Sequence, residues 1–427
     1  MEPLPAATIA GLTPPDVQVR FFDDRMEGID YDAPTDLVAI SVETYTAKRS
    51  YQIASAYRRR GVPVVMGGFH ATLQPDEVAR YAEAVVVGEA ETVWAEVLDD
   101  ARHGRLQKRY QGVGRPSLGG LRPDRSIFAG KRYLPIGLVE AGRGCHFHCD
   151  FCAVQTVFAQ QQTRRPIDDV LDEIRRIKDR HTLLFFVDDN ITSNMRQAKA
   201  FFEALVPLNV RWVSQASINA AHDEEFLELL VRSGCQGVLI GFESLDPRNL
   251  AAMGKGFNTM RGGYEVALAN LRRHKLRLYA TFVFGYDHDT PDAFDATVDF
   301  AHEHGFYMAA FNHLTPFPGT PLYERLEREG RLRFERWWLD ASYAYNVIPF
   351  EPAGMGPDEL QAGCLAARRR FYALPSIVRR SLTRTNRASA FMWRNYFVIN
   401  GMLRAEVSAR DHYPLGDESD RSALLEA

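Results

Sequence analysis

The sequence predicts an α/β chain: two successive parallel-sheet units, the second a partial (β/α)6 barrel, followed by a helical C-terminal segment. Three observations predict it. Short apolar, β-branched runs alternate with helix-like segments from about residue 17 to residue 314, the order that builds parallel sheets covered by helices. A stretch rich in Arg, Lys, Gly and Pro divides these units into two groups. After Trp337 and Trp338 the composition changes to arginines and aromatics. A chain of 427 residues is long enough for two domains.

In residues 1–104, Val17 to Phe22, Leu37 to Val42, Val62 to Met66 and Ala84 to Val87 read as strands, and Ala47 to Arg60 and Glu91 to His103 as helices. The alternation is Rossmann-like, and such a sheet carries its ligand crevice at the strand C-terminal ends. Two of those ends offer contacts. Ser41-Val42-Glu43-Thr44 supplies hydroxyls, and Gly67-Gly68-Phe69-His70 allows close backbone approach, although paired glycines also serve ordinary turns. Residues 105–133 lack a sustained apolar period and read as a linker whose basic residues face water.

The barrel is expected over residues 134–333. Its strands are Leu134 to Val139, Leu183 to Val187, Arg211 to Gln215, Gly237 to Phe242, Arg277 to Phe284 and Met308 to Leu314. The helix after the first strand shows the pattern in full: Pro166 opens it, and Ile167, Val170, Leu171, Ile174 and Ile177 mark one face. Six units are too few to close an eight-stranded barrel, so one side should be open to a large substrate. Working residues in such folds sit at the strand C-terminal ends, and these ends are unusually polar, as in Asp188-Asp189-Asn190, Gln215-Ala216-Ser217 and Glu243-Ser244.

Between the first strand and its helix, Cys145, Cys149 and Cys152 follow the spacing C-x3-C-x2-C, three of the chain's five cysteines in eight residues. Three thiolates on one loop suit a four-iron four-sulfur cluster with one iron left open. His146 or His148 could instead complete a Cys3His zinc site, but structural zinc usually draws on two separated ligand pairs, and Cys235 and Cys364 stand alone.

With an aromatic before the last cysteine and a strand before the loop, this motif resembles the signature of radical S-adenosylmethionine (SAM) enzymes. Phe185 to Asn190 and Gly241 to Ser244 extend the resemblance, which covers about residues 36–333. It implies that Cys145, Cys149 and Cys152 hold three irons of a 4Fe-4S cluster and that SAM chelates the fourth. Asp189 and Asn190 are then expected at the methionine amine, Gln215 and Ser217 at the carboxylate or ribose, and Glu243 at the ribose. Backbone around Phe151 and around Phe284 and Gly285 is expected at adenine. Reductive cleavage of SAM then yields a 5′-deoxyadenosyl radical. Met253, Gly254, Lys255 and Asn258 also fit the family pattern, without an evident physical role.

Val64 to Thr72, Pro75-Asp76-Glu77 and Val87 to Glu91 look like the cobalamin-binding domain that precedes the barrel in one branch of that family. The resemblance implies cobalamin over Ser41, Gly67 and Gly68. Two departures stand against it: Pro3 to Leu12 resembles the domain's first helix, so its first strand is expected to be missing, and Arg25 stands where a lower-ligand histidine motif would place His. The branch implies methyl transfer to an unactivated carbon of a small molecule, with cobalamin-independent cyclisation, rearrangement or coupling as the alternative. A non-catalytic iron-sulfur sensor is the alternative outside enzymes.

Residues 334–407 are expected to be helical, and 408–427 a loose polar tail. From Leu360 to Ala405 there are nine Arg and no Asp or Glu, interleaved with aromatics, which suits helices closing the barrel with snorkelling arginines or a peripheral membrane contact. A net charge of −4 argues against a nucleic-acid partner. Clustered thiols, no signal-peptide pattern and no membrane-length apolar run point to the cytoplasm. The resemblance also implies a low-potential electron donor such as flavodoxin or ferredoxin.

Overall fold

In a computed structural model of the chain, every residue except Arg410, Arg421 and Ala427 is described. The first unit is a four-stranded parallel sheet of Val38–Ser41, Val64–Gly67, Ala84–Val87 and Arg109–Gln111, lying side by side in chain order. Ala84–Val87 is buried on both faces: Val85 and Val87 join a core with Tyr51, Tyr57 and Tyr81, and Ala84 and Val86 join one with Trp94 and Leu98. Val38–Ser41, at one edge, is half-exposed.

Three expectations for this half need correction. Val17 to Phe22 forms no strand. Its apolar face is used elsewhere, with Phe21 edge-on to Phe128 at 5.4 Å. Residues 105–133 are not a bare linker, because Arg109–Gln111 supplies the fourth strand. Nor do all its cations face water: Arg125 pairs with Glu2 at 3.1 Å and Glu173 at 2.6 Å, and Arg115 lies 4.3 Å over the Phe158 ring. Their partners come from distant segments, which is why the stretch looked solvated.

The second unit has six parallel strands in sequential order: Ile136–Val139, Leu183–Phe186, Trp212–Ala216, Cys235–Glu243, Arg277–Phe284 and Met308–His313. Alternation sorts their side chains. Val139, Phe186, Trp212, Phe242, Phe282 and Phe311 are buried against the surrounding helices. Leu138, Phe185, Val213, Leu239, Thr281 and Ala310 alternate with them and stay half-exposed on the other face, so the lumen is open and largely apolar.

A six-stranded open barrel leaves unpaired backbone along its last strand. The C-terminal helices cover it. Tyr372 Oη donates to Ala309 O at 2.8 Å and accepts from its N–H, and Arg368 Nε donates to Phe311 O at 2.8 Å. Just before the strand, buried Arg380 donates to Phe306 O at 2.9 Å and stacks 3.7 Å over Phe371. These two arginines point inward to backbone carbonyls, where the sequence suggested snorkelling to solvent.

The expected loose tail is also docked. The Gln52 amide exchanges hydrogen bonds of 2.9 and 2.8 Å with the Asp417 backbone, and Leu425 N donates to Ser55 Oγ at 2.9 Å. Within that segment, residues 410, 421 and 427 lie outside the described residues.

Candidate functional site

The cysteine loop leaves the first barrel strand through a two-residue ladder, Gly142–Arg143 against Thr163–Arg164. Gly144 then turns with φ +88°, where a Cβ would fall 2.0 Å from Gln161 O, so only glycine fits. Its N–H donates to Asp189 Oδ2 at 2.6 Å. Burial raises Asp189 above the usual carboxylate range, partly offset by that N–H. Cys149 is buried and Cys145 and Cys152 half-buried. Burial pushes the Cys149 thiol up to about 12, a cost that metal ligation of the thiolate would offset.

The polar strand ends converge on this loop. Asn190 Nδ2 donates to Cys145 Sγ at 3.6 Å and to Ser217 Oγ at 3.4 Å, while its Oδ1 accepts from Thr192 N and Oγ1. Ser217 N donates to Thr192 Oγ1 at 3.1 Å. Gln215 Nε2 donates to Asp189 O at 2.5 Å. Asp189, Asn190, Gln215 and Ser217 therefore form one bonded set beneath the cysteines. Glu243 adopts φ +62°, unusual outside glycine, and accepts from Lys255 Nζ at 2.6 Å.

On the adenine side, the backbone groups expected at Phe284 and Gly285 are already bonded within the protein. Phe284 is buried among Phe294 and Phe311, Gly285 N–H and Tyr286 N–H are both taken by Asp289 Oδ2 at 2.9 and 3.2 Å, and Phe284 O accepts from Leu314 N at 2.7 Å. Phe151 is half-buried against the barrel core. His146 turns its Nδ1 to Ser193 Oγ at 2.8 Å, and His148 is exposed.

The segment that had no role in the sequence forms the floor of the loop. Met253 O accepts from Asp150 N at 3.2 Å. Gly254 has φ +75°, and a Cβ there would sit 2.7 Å from His148 O. Phe257 stacks on Phe147 at 4.3 Å. Burial opposes a charge on Lys255, but Glu243 and the Cys149 thiolate raise its pKa all the same. Asn258 donates to the carbonyls of Gly241 and Phe242 at 3.4 Å. Two further residues were missed. Tyr286 hydrogen-bonds Asp150, within the loop. Arg143 binds Glu89 at 3.0 Å, Glu91 at 2.7 Å and Glu140 at 2.7 Å, fastening the loop to the first unit. The acids of Gly88-Glu89-Ala90-Glu91 were visible in sequence; their common partner was not.

At the strand ends of the first sheet, Ser41 lies in register with Gly67. A Cβ on Gly68 would meet Val42 O at 2.9 Å, and its φ is +104°, so the turn itself demands this glycine. A Cβ on Gly67 would make only an ordinary 3.6 Å contact with Val86, so nothing in the protein demands that one. Glu43 is exposed at the end of the first strand, and the protein packed around its carboxyl pushes it up to about 7. His70 is buried, 3.2 Å from both Thr44 Oγ1 and Glu77 Oε1. It is a core histidine.

The donors fit the implied groups. A tetrahedral zinc needs sulfurs roughly 4 Å apart. Among the described residues, the one group of three possible ligands with all atoms within 4.8 Å is Glu224, Glu228 and His274. Three cysteines on one loop, one of them buried and two half-buried, are the donor set that a cluster with one open iron takes. The exposed Ser41 hydroxyl, the exposed Glu43 and the unconstrained Gly67 suit a large ligand over the first sheet.

Comparison with known proteins agrees with this geometry. A family model described as the radical SAM superfamily matches residues 139–301. The chain is 33% identical over 413 residues to bacteriochlorophyllide d C-12(1)-methyltransferase of Chlorobaculum tepidum, covering 94% of this chain and 89% of the relative. It is 29% identical to the C-8(2)-methyltransferase of the same organism, covering 77% of each. Among solved structures, the radical SAM methyltransferase TsrM of Kitasatospora setae, with cobalamin and a [4Fe-4S] cluster bound, aligns with a TM-score of 0.61 at 17% identity, over 88% of this chain and 90% of that one. Such a relation sets the sensor alternative aside: the chain belongs to the radical SAM enzymes, in the branch of cobalamin-dependent methyltransferases.

Proposed function

We propose that this enzyme methylates an unactivated carbon on the rim of a bacteriochlorophyllide-like tetrapyrrole. The observation that carries the reading is the 33% identity to a bacteriochlorophyllide methyltransferase across 94% of the chain. The open, largely apolar lumen supports it, because a flat macrocycle needs a wide apolar wall with few polar contacts.

Cys145, Cys149 and Cys152 would hold the cluster, and Asp189, Asn190, Gln215, Ser217 and Glu243, with backbone at Phe151 and at Phe284–Gly285, would hold SAM. Ser41, Gly67 and Gly68 would hold cobalamin. When bound, these groups supply a deoxyadenosyl radical for hydrogen abstraction and a methyl donor. The chain's own residues position them. Asp189 and Asn190 fix the start of the cysteine loop, and Lys255 holds Glu243 in its left-handed conformation. Glu89 and Glu91 hold Arg143, and through it keep the loop facing the first sheet. A flavodoxin or ferredoxin would supply electrons, and the cytoplasm would supply the reducing setting.

The test is anaerobic turnover of reconstituted, cobalamin-loaded protein with SAM, a reductant and a bacteriochlorophyllide. The expected products are 5′-deoxyadenosine, S-adenosylhomocysteine and a pigment heavier by one methylene. Deoxyadenosine formed with no methylated pigment would overturn the substrate assignment.

A further inference from the structure

We propose that the outward face of the two C-terminal helices seats on an anionic membrane surface. The inference stands apart from the tetrapyrrole reading, because it rests on surface chemistry alone. A surface helix ordinarily turns its apolar stripe inward. Helix Ala390–Ala409 is apolar on both sides. Its inner face packs Met392 and Tyr396 against Tyr307 and Ile377, and is pinned by Tyr396 Oη donating to Ile377 O at 2.9 Å and Asn400 Oδ1 accepting from Arg380 at 3.2 Å. Its outer face carries Trp393, Phe397, Val398 and Met402, 40–57% exposed. The neighbouring helix, Leu374–Ser381, adds Leu374 and Val378, followed by Leu382, 54–59% exposed at spacings of four. Trp393 Nε1 donates to Ser381 O at 3.1 Å and joins the two stripes into one patch.

The rim identifies the occupant. Arg379, Arg384, Arg387 and Arg394 are exposed and have no ion pair among the described residues. No Asp or Glu occurs between Leu360 and Ala405. An apolar face ringed by unpaired arginines complements acyl chains beneath anionic headgroups. A second copy of the chain fits poorly, since an isologous contact would bring the two arginine rims together. Spanning is not the mode either: among the described residues no helix is long and apolar enough to cross a membrane. The molecule as a whole carries −4, so an anionic surface repels the rest of it and favours this side. The patch lies behind the start of the last barrel strand, where Met392 O accepts from Tyr307 Oη at 2.7 Å.

The cluster-loaded full chain, sedimented with phosphatidylcholine vesicles containing phosphatidylglycerol, is expected to bind, and to release as salt rises. Pure phosphatidylcholine vesicles are expected to retain little. At about 1 kcal/mol per arginine near the surface, the double variant Arg384→Glu, Arg394→Glu should bind roughly 30-fold more weakly or worse, with iron content and SAM cleavage unchanged. The double variant Trp393→Ser, Phe397→Ser should lose binding likewise; if it fails to load iron, the arginine pair alone decides. No binding to anionic vesicles, or unchanged binding by the arginine variant, would overturn the proposal. So would a concentration-dependent dimer dissolved by the same substitutions, which would make the face a self-interface.

Discussion

The strand ends of the two sheets are joined through Arg143 and Glu89, but they are built in opposite ways. In the barrel, nearly every polar group at the strand ends is already bonded within the protein: Asp189 to Gly144, Asn190 to Cys145 and Thr192, Gln215 to Asp189, Glu243 to Lys255. In the first sheet, Ser41 and Glu43 are exposed and Gly67 has room to spare. A small cluster on a short loop must be held by an over-determined frame, because loop backbone is otherwise mobile. A large ligand can supply the missing contacts itself, so its cradle can stay open. The difference teaches which end carries its own order and which one waits for it.

The contrast can be broken first where the two regions are joined. Arg143→Ala would leave Glu89, Glu91 and Glu140 largely buried and without their shared cation, a loss of roughly 3 kcal/mol that chemical denaturation would register. Stability equal to wild type would mean the two sheets do not depend on this clamp. Gly254→Ala comes next. It forces a Cβ toward His148 O from a left-handed backbone, so about 1–3 kcal/mol of strain is expected, together with reduced iron content after reconstitution. Full iron retention would show that the floor of the loop is dispensable.

Gly67→Ala sharpens the comparison from the other side. Its added methyl meets only Val86 at 3.6 Å, so unfolding should be unchanged while the corrinoid content of purified protein falls. If corrinoid stays stoichiometric, the cradle lies elsewhere on the sheet. The smallest effect belongs to Glu43. Its folded value of about 7 lies above the ordinary 4.5, so the folded state keeps a proton that the unfolded chain has released. The stability this gives is full below the ordinary value and is lost as pH rises through about 7. In apoprotein, Glu43→Gln should flatten that slope and modestly raise stability above neutral pH; an unaltered pH profile would mean that Glu43 titrates in the folded state as it does in the unfolded chain.

The sequence by itself determined the order of the barrel strands and singled out the three-cysteine loop. Apolar alternation fixed all six barrel strands to within a few residues, because burial on one face imposes a period that survives in one dimension. Three cysteines in eight residues needed no third dimension. What only the tertiary structure decided were pairings between residues far apart in the chain. Val17 to Phe22 has the composition of a strand, but no sheet edge lies beside it, so its aromatics pack on Phe128. Arg109–Gln111 lies in a stretch that reads as solvated, yet the backbone edge of Ala84–Val87 recruits it. The roles of Gly254, Lys255 and Arg143 depend on partners at His148, Glu243 and Glu89. Propensity and period are local properties, whereas a charge pair or a forbidden Cβ is defined by what the fold brings alongside.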